Sequence, residues 1–147
     1  MKKAFTLALS FIVLAAMFVG CDTIKNLPTN TTGGLFSLNG TWRLNSTTDN
    51  HSLEGSTITV YPIVGNGTVK TILNNTYCVK EGDQIWKNLK SNGAGGFTLA
   101  TLVSACNGTT VTRDANLNVI NNDEVTVTSR TATGTELIQQ WRRVTSN

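Results

Sequence analysis

Charge is scarce in this chain: Asp, Glu, Lys and Arg together make up 14% of 147 residues, and His51 is the single histidine. An acid–base or nucleophilic site needs a base and an orienting group within hydrogen-bond reach of the reacting atom. With nine carboxylates and one imidazole, few such sets can be assembled. The three cysteines lack the close spacing of zinc ligands, so neither a metal site nor any other cofactor is implied. Sustained helical periodicity is also missing after residue 20, although 81–90 has room for one short turn of helix. The only long apolar run lies at the N-terminus.

That run has the order of an export signal. Lys2 and Lys3 form a positive segment, Ala4 to Val19 carries no charge, and Gly20 puts a small residue before Cys21. Sixteen residues are at the short end for a helix across about 30 Å of hydrocarbon, which takes about 20. Residues 1–20 are therefore expected to be a signal peptide.

The segment Phe18-Val19-Gly20-Cys21 resembles a lipobox. The resemblance implies a diacylglyceryl group on the Cys21 sulfur, cleavage before it and palmitate-type acylation of the new N-terminus. At about 0.8 kcal/mol per buried methylene, several acyl chains hold a protein on a membrane. A lipidated Cys21 leaves Cys78 and Cys106 as a pair, and an oxidising compartment favours a disulfide between them. Asp22-Thr23-Ile24 is similar to a short O-glycosylation signal of exported Bacteroidetes proteins. The expected location is the cell envelope, on the outer membrane.

Cleavage removes 20 of 147 residues and leaves 127, one domain on length. Without Lys2 and Lys3 the twelve basic side chains become ten, against nine acidic ones. A net charge near +1 gives no electrostatic basis for nucleic-acid binding. Residues 21–34 hold Pro28, Gly33-Gly34 and several Thr and Asn, the composition of a tether. The folded domain is expected over 35–147.

Within it the pattern has period two. Phe36, Leu38, Trp42 and Leu44 share one face, as do Ile58, Val60, Pro62 and Val64, then Phe97, Leu99, Thr101 and Val103, then Val125 and Val127. Turn signals such as Gly65-Asn66-Gly67, Asn92-Gly93, Asn107-Gly108 and Asn121-Asn122-Asp123 separate the runs. About eight strands are predicted, near 36–45, 56–64, 67–73, 83–89, 96–104, 109–114, 117–131 (with room for a break) and 135–144. Eight up-and-down strands can close into a barrel without exposed edges, so the expected class is all-β, with a two-sheet sandwich as the alternative.

Gly40-Thr41-Trp42, on the first strand, resembles the G-x-W signature of lipocalins. The last strand ends Trp141-Arg142-Arg143, where that family carries a basic residue over the signature tryptophan. Arg143 shares a face with Trp141 and Leu137 and is favoured over Arg142. The chain is most similar to the short lipocalin-like domains of Bacteroidetes lipoproteins. The resemblance implies that Gly40, Trp42 and Arg143 are structural and close the barrel base. No T-D-Y segment is present and the loops look short, which argues against a wide ligand cup.

Two functions fit this pattern. One is a membrane-anchored binding module for a small apolar ligand, with Ile58, Val60, Trp86, Phe97 and Leu99 as lining candidates and Trp86 and Tyr77 as candidates for a cavity mouth. The alternative is a structural or interaction lipoprotein with a filled barrel, whose partner is another envelope protein. An enzyme is not expected: His51 sits in a polar loop, and Glu81 and Asp83 would share a face only if that segment were extended.

Overall fold

A computed structural model describes residues 36–145, and the expectations for residues 1–34 (signal peptide, Cys21 and tether) lie outside the described residues. Eight antiparallel strands run β1 (Gly40–Thr47), β2 (Thr57–Tyr61), β3 (Asn66–Thr71), β4 (Gln84–Ser91), β5 (Gly96–Ser104), β6 (Val111–Asn121), β7 (Glu124–Arg130) and β8 (Glu136–Arg143). Each pairs with the next, and β8 returns to β1, so the sheet is a closed up-and-down barrel. The seam pairs Trp42 with Arg143 and Leu44 with Trp141. A sandwich is excluded by that pairing of first strand to last.

The alternation in the sequence becomes the inside and outside of the barrel. Trp42, Leu44, Ile58, Val60, Trp86, Phe97, Leu99, Leu117, Val125, Val127 and Trp141 pack as one interior cluster, joined by Phe36 and Leu38 from the segment entering β1. Burying such side chains supplies the main driving force for closure, at about 25 cal/mol per Å² of apolar surface. Bulk is accommodated locally. Gly67 on β3 stands opposite Trp86 on β4, leaving room for the indole that a side chain would take.

Four sequence expectations are corrected. The run 56–64 ends at Tyr61, because Pro62 has no N–H for a ladder, and Pro62–Val64 form a 3-10 turn closed by Gly65 in the left-handed region. The short helical turn allowed within 81–90 is a turn over 80–83 followed by β4. In that strand Asn88 adopts φ +55° where the register with β5 shifts, a β-bulge. The runs 109–114 and 117–131 are differently divided, since β6 passes unbroken through Ala115 and Asn116 and the chain turns at Asn122-Asp123. The loops are not uniformly short either: the β3–β4 connection takes residues 72–83.

Up-and-down topology sorts the connections between two ends. The entry at Phe36, the β2–β3, β4–β5 and β6–β7 turns and the exit after Arg143 lie at the base. The β1–β2, β3–β4, β5–β6 and β7–β8 connections lie at the far end.

Candidate functional site

At the base, one side chain gathers three segments. The Arg143 guanidinium lies 4.4 Å above the Trp42 ring centroid. Its Nη1 donates to Asn39 O at 2.7 Å, its Nη2 to Ser37 O, and its Nε to Asn122 O at 3.0 Å. Asp123 stands 3.6 Å from Nε. Burial holds the guanidinium below its ordinary pKa, and Asp123 pulls the other way. Trp42 is fully buried and donates its indole N–H to Leu38 O at 2.8 Å, so the ring is fixed from both sides. Gly40 is needed for this approach. Its φ is +129°, and a β-carbon there would meet Arg143 Nη1 at 3.1 Å. Arg142 points outward, 3.8 Å from Glu124.

At the far end the β3–β4 loop folds over the barrel mouth. The Cys78–Cys106 disulfide ties it to the β5–β6 connection, with Tyr77 O accepting from Ala105 N–H alongside. The β1–β2 connection holds it on the other side. Tyr77 Oη donates to Asp49 at 2.9 Å, Asn50 Nδ2 to Thr76 Oγ1 at 2.7 Å, Asn74 Nδ2 to Ser52 O at 2.9 Å, and Leu73 N–H to Ser56 Oγ at 2.9 Å. Burial, then the Asp49 carboxylate, raises the Tyr77 phenol above its ordinary range. In sequence this β1–β2 connection, with His51 in it, is only a polar loop. Its Asn and Asp signalled turns, and nothing in one sequence indicates that turns distant in the chain will clasp each other.

Beneath the cover is a cavity of about 30 Å³, bordered by Leu44, Leu53, Ile58, Val69, Val79 and Trp141 among others. Tyr77 borders it and Trp86 does not. Of the candidate lining residues only Ile58 borders this space, while Val60, Trp86, Phe97 and Leu99 are packed in the interior cluster. Trp86 meets Trp141 edge to face at 5.3 Å, a geometry that fills the middle of the barrel with two indoles. A cavity of this size holds about one water, far below the roughly 300 Å³ at the low end for ligand pockets.

Among the described residues the charged side chains Arg113, Asp114, Arg130 and Glu136 share a groove, with no histidine or cysteine among them. His51 Nδ1 lies 2.7 Å from Glu54 on an exposed turn, and that contact lowers the Glu54 pKa. Asp83 accepts from Lys80 N–H at 2.7 Å within the turn before β4, so Glu81 and Asp83 do not form the extended pair that alternation allowed. Among the described residues no three His, Cys, Asp or Glu gather as a metal set. On the outside of the far end, Asp49, Asn50, Tyr77, Val103, Ala132 and Thr133 are among the residues bordering a shallow, mostly uncharged groove of about 400 Å³, as apolar as it is polar. No family model matches the sequence, and no curated protein or solved structure matches it.

Proposed function

We propose that this chain is a lipid-anchored lipoprotein of the cell envelope whose barrel is filled by its own side chains and which works through its surface, as a structural or interaction module. The observation that carries this reading is the interior: two indoles packed edge to face and a cavity of about 30 Å³ leave no room for a metabolite-sized guest. The anchor is supported by the lipobox-like Phe18-Val19-Gly20-Cys21 and the charge-free run before it. Kinship with short lipocalin-like lipoproteins is supported by Gly40, Trp42 and Arg143 meeting at the barrel base. The groove at the far end, half polar, half apolar and nearly uncharged, suits contact with another envelope protein.

The carrier reading, with a small apolar ligand, draws on the apolar lining beneath the cover. It requires the β3–β4 loop to move and the indoles to repack. Native mass spectrometry of the full chain, extracted from its membrane in mild detergent, separates the two. The expected species lacks residues 1–20, carries covalent acyl mass and is two hydrogens light from the disulfide. A further mass that leaves on denaturation would overturn the filled-barrel reading.

A further inference from the structure

Large apolar side chains that remain exposed are unevenly placed. Among the described residues they are Tyr61, Ile63, Val64, Leu73, Ile120 and Val144, and all but Leu73 lie at or next to the base. The β2–β3 turn is the densest point. Ile63 is fully exposed, Val64 is 67% exposed and Tyr61 50%. The turn is also rigid: Gly65 N–H closes it onto Pro62 O at 3.1 Å, and Leu89 N–H holds Gly65 O at 3.0 Å. Two aliphatic side chains are thus held out in water by a turn that cannot fold them inward. Lys90, an exposed cation on β4, follows Leu89, the residue whose N–H is bonded to this turn. The carboxylates at the β6–β7 turn of the base, Asp123 and Glu124, face Arg143 and Arg142.

We infer that the Tyr61–Val64 turn is a second membrane contact, which seats the barrel base-down on the bilayer that carries the Cys21 lipid. The inference rests on the lipid-anchored reading above. Cys21 precedes Phe36 by fifteen residues, and Phe36 enters at the base. Covalent geometry limits that span to about 50 Å, so the base and its apolar tip stay within reach of the membrane surface. An anchored chain makes the second contact intramolecular, and a contact too weak to recruit a free protein then becomes populated. The chemistry fits an interface: aliphatic side chains for the acyl boundary, a tyrosine with an apolar ring and polar tip, and a lysine able to reach lipid phosphates. A turn already fixed in shape gives up little conformational freedom on insertion.

The test uses the full acylated chain in vesicles of phosphatidylethanolamine and phosphatidylglycerol, some with brominated acyl chains. Ile63→Trp is compared with Ala132→Trp at the far end. The native tryptophans are buried and give a common background. The inference expects several-fold stronger bromine quenching for Ile63→Trp than for Ala132→Trp. In the unsubstituted chain it expects slowed hydrogen exchange at Ile63 to Asn66 on vesicles relative to a detergent-free control released by proteolysis before Phe36. Equal, weak quenching at both sites with unchanged exchange would overturn it. So would a concentration-dependent dimer that protects the turn without lipid quenching, which would assign the tip to a second copy. Intact mass without acyl groups would remove the anchor reading and this inference together, and acyl mass with an unprotected turn would remove only the inference.

Discussion

A β-carbon on Gly67 would stand 3.3 Å from both Cβ and Cε3 of Trp86, its partner across the β3–β4 pair. Trp86 cannot retreat, because it is fully buried and packed against Trp141. Overpacking of a tight core costs about 1–3 kcal/mol. Gly67→Ala is therefore expected to lower the unfolding free energy by an amount in that range, read as a lower urea midpoint with the slope of the transition unchanged.

Arg143→Lys keeps the positive charge but loses the planar fork that serves Ser37 O, Asn39 O and Asn122 O. Breaking hydrogen bonds to a charged group costs about 1.5–3 kcal/mol, and loss of the cation–π contact adds about 0.5–2 kcal/mol. Chemical denaturation should show a loss of about 2–5 kcal/mol on these grounds. Arg142→Lys, at an exposed position, should fall within about 0.5 kcal/mol of the parent.

Tyr77 links the cover to Asp49, and its phenol holds its proton more tightly in the folded state than in the unfolded one. A raised folded pKa means that this stabilisation is complete below the unfolded value of about 10 and is lost as pH rises above it. Unfolding measured just below and just above about pH 10 should show a steeper alkaline loss for the parent than for Tyr77→Phe. Below that window Tyr77→Phe should be the less stable by about 1 kcal/mol, the worth of one hydrogen bond.

Replacing both Cys78 and Cys106 by serine opens a loop with a sequence separation of 28. Chain entropy puts the cost at about 3.5 kcal/mol. Hydrogen exchange should accelerate most over 72–83, while β6 to β8 keep their ranking, because the cover is held at its other side by single hydrogen bonds.

The interior was legible wherever apolar residues recur at every second position, as at Ile58 and Val60 or Val125 and Val127, because strand geometry turns that spacing directly into burial. It was obscured where a charge occupies the inward row. Arg113 lies in register with Ala115 and Leu117 but reaches out to Thr131 O and Ala132 O at the far end, which broke the apolar period and hid the continuity of β6. Pro62 and Val64 misled in the opposite sense, by continuing a period that the backbone could not follow. At the base, Gly40, Trp42 and Arg143 could be named in advance, while Ser37, Asn39 and Asn122 could not. They contribute through backbone carbonyls, which leave no trace in residue identity. The clasp at the far end is of the same kind, made by Asn and Thr groups far apart in sequence.

The entry of the chain at the base, beneath Arg143, also sets how the domain would carry a load. Tension between an N-terminal attachment and a grip on the far-end loops runs along the strands and pulls neighbouring strands past one another. The hydrogen bonds of the β1–β2 and β1–β8 pairs would then resist together instead of opening one after another. Force arriving from the N-terminal side meets the Ser37–Asn39 strap before it reaches β1. In mechanical terms Arg143 is a strain relief, clamping the cord where it enters the housing.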